Sequence, residues 1–92
     1  MKLLWRRRAE EQLRAQLQYL RAVNRHAARR MRNRIKQRLT RLTRAPFTGR
    51  PSERADVREL VIAGTPYVAV YQVADDAITI LQFFHTSQDR PS

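Results

Sequence analysis

The sequence has no cysteine, only two glycines and only two histidines, and each scarcity removes a class of chemistry. Without cysteine there is neither a disulfide framework nor a thiolate zinc cluster, which fits a reducing compartment. Gly49 and Gly64 stand alone, so there is no glycine-rich loop to cradle phosphates. With His26 and His85 as the only histidines, zinc binding and a Ser-His-Asp set find no support, and neither metal nor cofactor is expected. No apolar run approaches the roughly 20 residues of a membrane span. Lys2 precedes Leu3-Leu4-Trp5, but that run stops at Arg6-Arg7-Arg8, too soon for a signal peptide. A soluble, cytoplasmic protein with no membrane partner is the expectation.

What the chain has in excess is positive charge. The formal net charge is +11 and the pI about 11.6. A surface of this sign attracts polyanions, so nucleic acid, an anionic membrane and an acidic protein are the partner classes to weigh. Arg25, Arg29, Arg30, Arg32, Arg34, Lys36, Arg38, Arg41 and Arg44 fall in one stretch with no acid among them, whereas Glu53, Asp56, Glu59, Asp75 and Asp76 lie in the second half. At 92 residues the chain holds one domain, 1–92, with a single core.

The organising stretch runs from Tyr67 to His85. Tyr67, Ala69, Tyr71 and Val73 alternate with Val68, Val70 and Gln72. After Asp75-Asp76 a second alternation sets Ile78, Ile80, Gln82 and Phe84 against Thr79, Leu81, Phe83 and His85. Two period-2 runs around a polar turn predict a β-hairpin inside a sheet. Upstream, Lys2 to Trp5 reads as an edge strand. From Arg8 the period becomes helical: Ala9, Leu13, Leu17, Leu20 and Val23 form one stripe, ending near Asn24. Arg6 is a poor helix cap, and arginines in a first turn oppose the macrodipole.

Asn24 can end this helix and cap the next, whose apolar seam is Ala28, Met31, Ile35, Leu39 and Leu42. The short joint forces an antiparallel helical hairpin. Ala45 to Ala55, with Pro46, Gly49 and Pro51, reads as a loop, Val57 to Ile62 as a strand, and Gly64-Thr65-Pro66 as a turn. The predicted fold is α+β: an N-terminal strand and two antiparallel helices packed on an antiparallel sheet.

The residues able to carry chemistry are Arg58, Tyr67, Tyr71, His85, Gln88 and Arg90. A histidine exchanging protons near neutral pH and an arginine holding a phosphate are what RNA cleavage requires. The plainer reading makes the tyrosines half-buried core residues and His85 a hydrogen-bonded strand end. On the second helix, Arg30, Arg34, Arg38 and Arg41 form a basic face. It is a solvated surface, a dock for an acidic partner, or a nucleic-acid surface without a recognition motif, which is therefore not the primary expectation.

One resemblance covers nearly the whole chain. Trp5, Ala9, Leu13, Leu17 and Tyr19-Leu20 are followed by Asn24 with Ala27-Ala28, then Ile35, Leu39 and Leu42. Pro46, Gly49-Arg50, Arg58-Glu59-Leu60, Tyr67 to Tyr71, Ile80-Leu81 and His85 to Pro91 complete the series. In order and spacing the sequence resembles the RelE/ParE toxin superfamily of bacterial type II toxin–antitoxin systems. In the RelE branch, which cuts mRNA on the ribosome, basic residues stand where this chain has Val68 and Thr86, and an aromatic residue usually follows near the C-terminus. Only Arg58 matches. The resemblance therefore implies the ParE branch: a DNA gyrase inhibitor neutralised by a cognate antitoxin with an acidic wrapping segment. The alternative is a ribosome-dependent endoribonuclease using Arg58, Tyr71 and His85. Arg25, where the family often has proline, and Arg6 depart from the pattern at helix ends.

Overall fold

The structure, a computed structural model, describes residues 1–87. Gln88 and Arg90, two of the expected partner-binding residues, lie outside the described residues. The elements are β1 (Lys2–Trp5), α1 (Arg7–Val23), α2 (Arg25–Arg44), β2 (Arg50–Pro51), β3 (Val57–Val61), β4 (Tyr67–Val73) and β5 (Ala77–His85). They form one five-stranded sheet in the order β1-β5-β4-β3-β2, with both helices on one face.

The helical pair follows its sequence logic closely. Arg6 makes no side-chain cap at the start of α1. Asn24 serves both helices, as expected: its backbone N–H donates to the Leu20 carbonyl at 2.7 Å, and its Oδ1 accepts from the Ala27 N–H at 3.0 Å. A single residue satisfying groups at both helix ends makes the joint tight. Ala9 of α1 and Ala28, Ile35, Leu39 and Leu42 of α2 are buried.

The sheet departs from expectation in three places. β3-β4-β5 form the antiparallel meander, but β1 pairs with β5 in parallel, Lys2 opposite Ala77 and Trp5 opposite Ile80. A strand returning to its sheet through a helical crossover arrives this way, so the whole sheet is mixed. The expected loop from Ala45 to Ala55 contains β2, two residues paired with Glu59 and Arg58 of β3. Proline is tolerated there because the strand is an edge.

The third departure changes which side chains are interior. Val70 of β4 stands opposite Gln82, but Tyr71 stands opposite Ile80, leaving Leu81 as the extra residue of a β-bulge. The strict alternation therefore breaks. Ile78, Ile80 and Phe83 share the helix-facing core with Ile35, Leu39 and Tyr71, while Phe84 pairs with Val68 on the opposite face. Gln82, which unbroken alternation places beside Ile80, turns outward with Val70.

β1 ends at Trp5 opposite Ile80, so the rest of β5 has no strand on that side. The Arg6 N–H reaches the Ile80 carbonyl at 3.0 Å, and beyond that point α1 supplies the bond: Gln12 Oε1 accepts from the Phe83 N–H at 2.8 Å. Gln12→Ala is expected to cost about 1 kcal/mol, the net worth of one partly buried hydrogen bond. Hydrogen exchange checks it: the Phe83 amide should exchange faster in the variant, whereas the Val70 amide should not.

Candidate functional site

Arg58 and Tyr71 face each other across β3 and β4, and both are bound to the loop that leaves α2. The Tyr71 hydroxyl donates to the Pro46 carbonyl at 2.7 Å and accepts from the Gly49 N–H at 2.9 Å. Arg58 Nη1 donates to the Gly49 carbonyl at 2.8 Å and the Phe47 carbonyl at 3.2 Å, and its guanidinium lies 5.1 Å from the centre of the Phe47 ring. Gly49 is required by proximity: a Cβ there would come within 2.9 Å of the Glu59 carbonyl oxygen and against the Tyr71 ring. Backbone of β3 and a buried ring cannot both retreat, so this corner admits no side chain.

Tyr67 and His85 form a second cluster at the opposite end of β4. They pair across β4 and β5, with the rings edge-to-face at 5.7 Å between centroids, and Tyr67 also packs on Phe83 at 5.1 Å. His85 Nδ1 accepts from the Ser87 N–H at 3.0 Å. Tyr67 and Tyr71 lie four residues apart on one strand, about 13 Å at strand rise. The structure thus brings Arg58 to Tyr71 and Tyr67 to His85, but does not bring Arg58, Tyr71 and His85 together.

Both tyrosines are fully interior rather than half-buried. Burial pushes the Tyr67 and Tyr71 hydroxyls above the ordinary value of 10.0, opposed at Tyr71 by the Gly49 N–H and then by the Arg58 charge. The unfolded chain therefore gives up these protons first as pH rises. Their contribution to stability is complete below pH 10.0 and is lost above it. Alkaline unfolding followed by circular dichroism should run alongside tyrosinate absorbance, and Tyr71→Phe should flatten the dependence.

The basic face is divided among different surroundings. Arg34 lies against Gly64, whose φ of 79° makes the β3–β4 turn. Arg38 and Arg41 border a cavity of about 210 Å³ against Leu60 and Val61 of β3, while Arg30 is exposed. No single stretch of sequence specifies a groove of about 400 Å³ between β1 and the helices, floored by Leu3, Trp5, Leu13 and Ile35 and rimmed by Arg32, Lys36 and Glu10, the last paired with Arg14. The signal was Trp5, too large for a bare edge strand and only partly covered. Among the described residues no group of histidines and carboxylates could hold a metal ion, and no helix is long and apolar enough to cross a membrane.

Comparison with known proteins agrees with this architecture. No curated protein sequence matches the chain. A solved structure described as the chromosomal ParDE TA system from P. aeruginosa is similar at 27% identity and a TM-score of 0.77, covering 92% of this chain and 95% of that one. The model of the family described as "ParE toxin of type II toxin-antitoxin system, parDE" matches residues 3–90. With the family model matching nearly every residue and a solved ParDE structure similar over 92% of the chain, the chain belongs to the ParE toxin family of type II toxin–antitoxin systems.

Proposed function

We propose that this toxin acts by binding rather than by catalysis: it inhibits DNA gyrase in the cytoplasm and is held inactive by a cognate antitoxin. The observation that carries the reading is the separation of the candidate catalytic groups. A nuclease needs its phosphate clamp and proton carrier around one scissile bond. Here Arg58 and Tyr71 are spent on carbonyls and an amide of one loop, and His85 sits at the far end of the strand with Tyr67. The ParE family supplies the direction of the proposal, gyrase rather than the ribosome.

The antitoxin segment is expected to be amphipathic and acidic. Its apolar side covers the groove over Leu3, Trp5 and Leu13, and its carboxylates meet Arg32 and Lys36 on the rim. Complex formation should weaken as salt rises, because exposed charge pairs are screened.

A supercoiling assay decides the matter. Purified toxin should block gyrase, and antitoxin should restore it. Unimpaired supercoiling at toxin concentrations well above stoichiometric would overturn the proposal. Codon-phased cuts on a translated message, abolished in Arg58→Ala, would replace it with the ribonuclease.

A further inference from the structure

The geometry points to a phosphate-binding pocket on the helical hairpin, formed by Arg21, Arg25, Arg29 and Arg32, that takes a compact oligophosphate such as a di- or triphosphate chain. The inference does not rest on the gyrase reading and survives its failure, and of its four residues only Arg32 also borders the groove assigned to the antitoxin. The four arginines border one cavity of about 180 Å³, with Leu17 and Ala28 as its floor. Arg25, Arg29 and Arg32 recur on α2 at i, i+4 and i+7, one helix face, and Arg21 comes from the last turn of α1 opposite them. Arginines from two helices thus border a single concavity.

None of the four makes a side-chain hydrogen bond or ion pair with any of the described residues. The first turn of α2 contains no acidic residue, so the positive end of its macrodipole adds to the same charge instead of being offset. Arginine's planar fork binds phosphate oxygens in pairs, and the apolar floor removes water from one side of the ligand. A surface of solvated arginines on one convex helix would leave their heads apart. Here the four border one cavity between two helices.

The size of the cavity selects the ligand. Four arginine charges around 180 Å³ call for several negative charges in a small volume, and a terminal phosphoryl group brings about −1.5 to −2 at neutral pH, with a further charge on each phosphoryl group behind it. A peptide places same-side carboxylates about 7 Å apart when extended, so it fills the cavity with one charge. A nucleic-acid backbone spreads single charges along its length and would track a stripe rather than converge on a pocket.

Isothermal titration of the purified full-length chain with inorganic triphosphate, at constant ionic strength, tests the assignment. One molecule should bind per chain, more tightly than sulfate. Arg25→Gln/Arg29→Gln should weaken it by about tenfold or more, as loss of charge-assisted hydrogen bonds does. Arg38→Gln/Arg41→Gln, of similar charge loss on another part of α2, should change it less than about threefold. The mutated side chains at 21, 25, 29 and 32 are exposed, so helix content should persist. Arg21→Gln/Arg32→Gln provides a second pair should the first disturb the joint. A nucleoside triphosphate binding like triphosphate supports the pocket. Equal losses in both arginine pairs, or binding no tighter than sulfate, would overturn it. So would glutamate peptide or duplex DNA binding at these arginines while triphosphate does not.

Discussion

Tyr71→Ala is expected to destabilise the protein by about 4 kcal/mol, within the range for truncating a large buried aromatic residue. The ring is wholly inaccessible and lies in the core with Ile35, Leu39 and Ile80. Removing it opens a cavity and frees the loop after α2 at once. The Gly49 N–H loses its acceptor and the Pro46 carbonyl its donor. For a domain of this size the loss corresponds to a fall in Tm of about 15–30 °C, a large share of total stability. Tyr71→Phe keeps the ring and strands the two backbone groups, so about 1–2 kcal/mol is expected. Urea denaturation of the two variants against wild type separates the hydroxyl's share from the ring's.

The same pair distinguishes a structural tyrosine from a catalytic one. If Tyr71 carried protons in a reaction, the phenylalanine variant would lose activity while folding normally. A residue that fastens a loop behaves in reverse: at a temperature where Tyr71→Phe remains folded, its inhibitory activity should equal that of the wild type. Arg58→Ala belongs to the same corner and should resemble Tyr71→Phe, because its guanidinium is held by the Gly49 and Phe47 carbonyls. The two changes share partners, so their double variant should cost less than the sum.

How much of this was legible beforehand depends on the range of the interaction that decides each feature. Asn24 between two helices was readable because its bonds reach no further than Leu20, Ala27 and Ala28. The stripe through Ile35, Leu39 and Leu42 was readable because helical period is local. The pairing of Tyr67 with His85 was not readable, because a hairpin centred on Asp75-Asp76 without a bulge sets Tyr67 opposite Phe84, and the extra residue Leu81 shifts the register by one. Arg58 was not readable either. Its hydrogen bonds go to carbonyls nine and eleven residues away, in a loop whose conformation no periodicity specifies, so an arginine on a strand looked free to hold phosphate. β2 escaped notice because two residues carry no alternation. The direction of β1 was hidden for another reason: a lone strand's sequence does not say whether its neighbour runs with it or against it. The groove over Leu3 and Trp5 requires α1, α2 and β1 to be placed in space, and the arginine pocket requires α1 and α2.

Phe83→Ala is expected to cost about 3–5 kcal/mol, while Gln82→Ala should cost no more than about 0.5 kcal/mol, and the contrast rests on the bulge at Leu81. Unbroken alternation along β5 would set Gln82 on the same side as Ile78 and Ile80 and send Phe83 to the other. With Leu81 set aside, Phe83 stands opposite Ala69 on the helix-facing side, wholly inaccessible, tilted against Trp5 at 6.4 Å and Tyr67 at 5.1 Å between ring centroids. Its own N–H is the one that Gln12 takes. Truncation therefore loosens three things together: the packing of β1 through Trp5, the ring that Tyr67 shares with His85, and the seat of α1 on β5. Urea midpoints for the two alanine variants measure the difference directly, because neighbouring residues of one strand share almost every other property. A larger loss at Gln82 than at Phe83 would mean that the alternation runs unbroken through Leu81. It would then be Phe83, with its aromatic neighbours, that faces away from the helices.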